Sequence, residues 1–231
     1  ATIVRNGGHS FMRVWAPQSL HTDSGFVYES EGLRSQQELM QHACENRQAG
    51  EAIYCKTWND MSEGGECAPM GATQWAHMDV AAYYHAWFRS GTAPTILRDC
   101  LYYSHRLHAW NAKPNAAYQT ITNADISGTH IDAYHRLDVL GPAGADVVTV
   151  LAFLTAPGNV VIKHGSTVIS TTINVPAGVT RISASMPTTS GTLSFQLIRD
   201  GETKINFPSA FPIQGAYWNN LPYWQDFKYR C

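Results

Sequence analysis

Charge is what this sequence has least of. Asp, Glu, Lys and Arg make up 15% of its 231 residues, against ~25% in an ordinary soluble domain. The formal net charge is −2, and no run of Lys or Arg occurs. A nucleic-acid binder or a protein drawn to an anionic membrane needs such a run, so both classes are excluded. No apolar stretch reaches the ~18 residues of a membrane-spanning helix. Five cysteines occur, at 44, 55, 67, 100 and 231, and none forms a Cys-x-x-Cys pair. That removes the common zinc and dithiol redox motifs. A Gly-x-Ser-x-Gly elbow is also absent, and the ten histidines are scattered, which argues against a serine hydrolase. His77 and His85 lie eight apart on one predicted helix, two turns away from each other and too far to share a metal. Neither a metal nor a cofactor is expected.

What is present is aromatic and hydroxylic. The chain holds 7 Trp, 11 Tyr and 8 Phe, with many Ser, Thr and Gly. Low charge with this make-up suits a secreted protein. The first residues, Ala1-Thr2-Ile3, carry no Met, and a processed form is the expectation. Extracellular cysteines pair, and Cys67 with Cys100 or with Cys44 would fix the loop between them. An odd cysteine then remains. Cys231, the last residue, is placed to reach a second chain; a frayed free thiol is the alternative.

Residues 9 to 20 read as a strand broken at Pro17, and His21 to Tyr28 as a loop with Gly25. Glu31 to Arg47 has helical spacing, with Leu33, Leu39, Met40, Ala43 and Cys44 expected on one buried side. Ala52-Ile53-Tyr54 opens the next strand, over 51–58. Trp75 to Arg89 is a second helix, apolar round most of its circumference and stopped by Ser90-Gly91. Strand, helix, strand, helix implies parallel βα units over the first ~105 residues. From Asp146 the texture changes. Five or six short strands follow, with turns at Gly165, at Pro176-Ala177-Gly178 and at Asp200-Gly201. That spacing signals an antiparallel sandwich. The tail, Tyr217-Trp218-Asn219-Asn220-Leu221-Pro222-Tyr223-Trp224, is too aromatic to hang free. It is expected to pack on the body or to stack on a ligand.

The chemistry concentrates in Lys56-Thr57-Trp58-Asn59-Asp60-Met61-Ser62-Glu63-Gly64-Gly65. A buried strand ends there and presents an amide and two carboxylates on a turn. Such a placement suits acid/base work at the mouth of a scaffold. The alternative is that Asn59 and Asp60 make an Asx turn or cap the next helix.

This run resembles the W-N-D-Y-G-E signature of fungal α-1,3-glucanases, the mutanases of glycoside hydrolase family 71. Trp75 to Arg89, Gly91-Thr92-Ala93-Pro94-Thr95-Ile96 and Asp99 to Arg106 are similar to that family's last barrel helix and the segment leaving the barrel. Val14-Trp15-Ala16-Pro17 and Phe26-Val27-Tyr28 resemble its penultimate βα unit. Asp146 to Phe207 looks like its C-terminal β-sandwich. The resemblance covers most of this chain but only the last third or so of a family member.

It implies an α/β plus all-β chain: the final βα units of a (β/α)8 barrel over 1–108, an extended connection over 109–145, an antiparallel β-sandwich over 146–212, and an aromatic tail over 213–231 packed on the body. It also implies inverting hydrolysis of the α-1,3-glucan of fungal cell walls, with Asp60 and Glu63 as the acid/base pair. Trp58, Asn59 and Trp15 are the candidate substrate contacts, with core packing the alternative for Trp58. The departures are Met61-Ser62 where the family has Tyr-Gly, and Gly64-Gly65-Glu66-Cys67 where it has Ser-His-Tyr-Ile. Six barrel strands are missing from this chain. A second polypeptide, disulfide-linked through the odd cysteine, would supply them. The competing readings are a non-catalytic, lectin-like carbohydrate binder derived from the family, and a structural or toxin-like secreted protein.

Overall fold

The computed structural model describes residues 11–15, 18–21, 26–29, 33–47, 52–55, 68–69, 74–114, 138–140 and 146–218, with side chains drawn from within 33–47, 68–69, 74–107 and 146–214. Trp58, Asn59, Asp60, Glu63, Cys67 and Cys231 lie outside the described residues, as does the tail from Asn219 onward.

The chain opens with β1 (Phe11–Trp15), β2 (Gln18–His21) and β3 (Phe26–Glu29). β2 and β3 form an antiparallel hairpin, with Leu20 opposite Val27 and Ser19 opposite Tyr28. Phe26–Tyr28 is therefore strand and not the loop its position after Gly25 suggested. The β-forming residues Phe26, Val27 and Tyr28 pair with the strand before them.

The first helix, α1 (Leu33–Glu45), buries Leu33, Gln36, Gln37, Met40, Ala43 and Cys44. Leu39, expected on that side, is 42% exposed. At 100° per residue Leu39 falls well off the stripe centred on Met40 and Cys44, whereas Gln36 and Gln37 flank it. After α1, β4 (Ala52–Cys55) runs parallel to β1, with Phe11 opposite Ala52 and Trp15 opposite Cys55.

The second helix, α2 (Ala76–Ser90), buries Ala76, His77, Val80 and Tyr84. Ala82 and Ala86 face outward, so it is covered along one side rather than all round. Gly91 ends it in the left-handed conformation at φ 81°, and its N–H donates to the Trp87 carbonyl at 2.8 Å. An αL glycine after the last turn is what stops a helix cheaply.

Two antiparallel sheets make up the rest of the body. One is ordered β11 (Gly178–Ser185), β8 (Val147–Leu154), β5 (Cys100–Ser104). The other is ordered β10 (Thr167–Val175), β9 (Gly158–His164), β12 (Leu193–Arg199), β13 (Glu202–Pro208). β8 is apolar at nearly every position because both of its faces are covered. Val148, Val150, Ala152 and Leu154 join Leu101 and Tyr103 in a core shared with Ile162, Phe195, Leu197 and Phe207 of the second sheet. Leu151 and Phe153 point the other way, with Cys100 and Tyr102, and meet Leu33, Met40 and Cys44 of α1 and Val80 and Tyr84 of α2. The order is thus helices, three-stranded sheet, four-stranded sheet. At the centre of the inter-sheet core Tyr103 stacks on Phe195, centroids 4.4 Å apart. Its hydroxyl accepts from the Ala210 N–H at 2.7 Å, so a polar atom enters the core satisfied.

Within 109–145 the chain contributes β6 (His108–Pro114) and β7 (Asp138–Leu140). β7 runs parallel to β3. β6 runs parallel to β14 (Gly215–Trp218), so the start of the aromatic tail is a paired strand.

No disulfide forms among the described residues. Cys44 is a buried thiol that donates to the Tyr84 carbonyl at 3.3 Å, which overturns its expected pairing with Cys67. It lies on the packed side of α1, directed at the α2 backbone. The alternative pairing, Cys67 with Cys100, has one end outside the described residues.

Candidate active site

The parallel pair positions the candidate site. Trp15 and Cys55 are register partners and the last residues of their strands. The loop carrying Trp58, Asn59, Asp60 and Glu63 follows Cys55 directly in sequence. It leaves from the carboxyl end of the strands, where parallel α/β architectures gather their ligand-binding loops. Backbone register therefore brings Trp15 to the root of that loop. Its side chain, and the mutual geometry of the other four residues, lie outside the described set.

The far end of the loop is described. Ala68 is buried and Pro69 half-buried. Gln74 sits at φ 45°, a left-handed conformation uncommon for a residue with a Cβ. Trp75 follows at the N-cap of α2, 58% exposed and making no side-chain cap bond.

Beneath this end is a buried polar pair that the sequence reading missed. Gln36 Nε2 donates to the His77 carbonyl at 2.9 Å, and Gln36 Oε1 lies 2.9 Å from His77 Nδ1. Both residues are almost wholly inaccessible. The pair pins the first turn of α2 to α1. Its only trace in the sequence is a Gln on the flank of an apolar stripe.

Further from the loop, the titratable groups serve structure. Burial, followed by the nearby charge of Glu45, pushes the Cys44 thiol up to about 11, so it is a poor nucleophile at neutral pH. Burial lowers His105 to about 4 and keeps it neutral against Tyr103, 5.9 Å between centroids. Among the described residues no three His, Cys, Asp or Glu side chains gather to hold a metal. Arg181 links β11 to α1 through Glu38 at 2.6 Å and Gln37 at 3.1 Å. Arg106 reaches Asp146 at 2.5 Å and ties the exit of β5 to the start of β8.

The model of Glycosyl hydrolase family 71 matches residues 24–221. That span takes in the carboxylate loop, both helices and both antiparallel sheets, and leaves Trp15 just outside. The chain belongs to glycosyl hydrolase family 71, glycoside hydrolases acting on glucan. No curated protein and no solved structure matches it.

Proposed function

We propose that this chain carries the acid/base pair of an inverting hydrolase of α-1,3-glucan, with Asp60 and Glu63 as the two carboxyl groups. The observation that supports it most is the family match, which runs through the loop holding both residues. The parallel pairing of β1 with β4 fits the same reading, since it sends that loop out at the carboxyl end of the strands. In this reading β1, α1, β4 and α2 are the last units of a (β/α)8 barrel, and the two packed sheets are the β-sandwich that follows. The protein works outside the cell on fungal wall polysaccharide.

The chemistry follows from the pair. One carboxyl, kept protonated, gives its proton to the glycosidic oxygen as the bond breaks. The other, ionised, removes a proton from a water attacking the opposite face of the sugar. Inversion needs the two groups about 6.5–9.5 Å apart to leave room for that water. Unequal burial on the turn would separate their pKa values and assign the roles. Trp58, Asn59 and Trp15 would hold the sugar beside them. Met61-Ser62 between the carboxylates marks where linkage preference can differ from the family's Tyr-Gly.

The test is release of reducing sugar from α-1,3-glucan by the purified protein. Asp60→Asn and Glu63→Gln are each expected to abolish it, with circular dichroism unchanged. The first product formed should be the β-anomer by NMR, since an α-linkage is inverted. Full turnover in both variants rejects the assignment. Glucan binding without turnover in the unmodified protein turns the reading to a lectin-like binder.

A further inference from the structure

Trp75 is the most exposed aromatic side chain among the described residues. Its neighbours Ala76 and His77 are buried, so the helix start is anchored while this one large side chain stands in solvent. No ring contact or hydrogen bond engages the indole among the described residues. An exposed indole beside buried helix neighbours leaves a flat apolar face open to a ligand.

Its surroundings are built. The left-handed Gln74 turns the chain sharply from the loop into the helix. The Trp75 carbonyl accepts from the Asp79 N–H at 2.8 Å, which fixes the first turn. Asp79, one turn on, therefore lies on the same side of α2 as Trp75. It is half-buried, and its Oδ2 accepts from the Tyr102 hydroxyl at 3.4 Å. Tyr102 itself belongs to the packed core between β5 and the helices. An aromatic plane, a carboxylate braced from below and a stiff helix start occur together, at the end of the loop that began beside Trp15.

We infer that Trp75 and Asp79 form a glucosyl-binding subsite, distinct from the residues flanking the cleaved bond, that holds a further sugar unit of the α-glucan chain. The indole offers a flat apolar face to the C–H face of a pyranose ring. The carboxylate accepts hydroxyl donors at the ring edge, as charge-assisted acceptors do well. The ligand is neutral, and a weakly charged protein has no need of a basic site to take it. This inference rests on the glucan-hydrolase reading, and the experiment separates the two.

The measurement is steady-state hydrolysis of a series of soluble α-1,3-gluco-oligosaccharides by the purified protein and its Trp75→Ala, Trp75→Phe and Asp79→Asn variants. Tryptophan fluorescence on titration with the same oligosaccharides is read in parallel. Trp75→Ala should lower kcat/KM on the longer oligosaccharides about tenfold, carried by KM, with a smaller fall on the shortest cleaved substrate. Trp75→Phe should recover part of the loss. Asp79→Asn should lie between, since the amide keeps an acceptor for Tyr102. An unchanged KM across the series in Trp75→Ala, with the unmodified protein active, overturns the subsite and leaves the hydrolase reading intact. An unmodified protein that neither cleaves nor binds the oligosaccharides overturns both.

Discussion

Asp99 offers the sharpest test of how the body is held together. It lies just before β5 and binds two other segments. Its Oδ1 accepts from the Thr155 N–H at 2.7 Å and from the Thr155 hydroxyl at 2.9 Å. Arg199, at the end of β12, donates to Oδ2 at 2.8 Å and to Oδ1 at 3.2 Å. Arg199 also donates to the Pro157 and Ala156 carbonyls at 2.9 and 2.6 Å. One carboxylate thus joins the three-stranded sheet, the β8–β9 turn and the four-stranded sheet. The two side chains are 18% and 17% exposed, so solvent screens them only in part. Asp99→Ala removes four accepted bonds but leaves Arg199 its two carbonyls, so the guanidinium is not stranded. Charge-assisted bonds contribute about 1.5–3 kcal/mol, and a net loss of about 2–3 kcal/mol is expected. For a chain of this size that is a fall in Tm of roughly 5–10 °C. Asp99→Asn, which keeps an acceptor for Thr155, should lose about half as much.

The acid limb gives the sign. Partial burial raises the Asp99 carboxyl, but the bonds from Arg199 and Thr155 and the Arg199 charge outweigh it and hold the group below its usual value. A depressed carboxyl stabilises above the unfolded pKa and loses that contribution as pH falls through the folded one. The gap between the unmodified protein and Asp99→Ala, measured by urea unfolding, should be constant above about pH 5 and shrink below about pH 4. A gap under about 0.5 kcal/mol at pH 7, or one that widens in acid, refutes the reasoning.

Three further outcomes follow from the helix side. Leu151→Ala opens a cavity between β8 and the helices and should cost about 2–5 kcal/mol in urea unfolding, because Leu151 is wholly buried. Gln36→Leu removes the bonds that Gln36 makes to His77 Nδ1 and to the His77 carbonyl, and a loss of about 1–3 kcal/mol is expected by the same measurement. Cys44 should resist iodoacetamide at pH 7.5 in the native protein and react once denatured, read by mass spectrometry of the labelled peptide, because burial keeps its thiol protonated.

Local pattern carried much of the fold. The apolar run from Asp146 to Leu154 reads as a buried strand, and the glycines at 91, 165 and 201 mark turns, each at positive φ. What could not be read was long-range polar pairing. Asp99 and Arg199 are separated by a hundred positions, and neither residue type nor spacing foretells their contact. Gln36 in a stripe that seemed to want Leu39 shows the same limit: a buried amide is admitted because His77, on another helix, satisfies it. The candidate site was legible through a motif, Trp58 to Glu63, and the family match covers it, while the geometry that would rank its two carboxyls is not among the described residues. Trp75 was visible in the sequence only as the first residue of an apolar helix. Its exposure is a tertiary fact.

The strand from Cys100 to Ser104 has a consequence for how the molecule can be divided. In sequence it follows the helical half, yet it completes a sheet whose other strands begin after residue 146. A fragment cut at residue 146 would keep β8 and β11 but bare the edge of β8 that β5 covers, along with one wall of the aromatic stack around Phe195. The helices, for their part, would lose the sheet face they rest on. The two halves share a single partition, and the boundary that sequence texture suggests is a seam in composition rather than a line along which the protein separates.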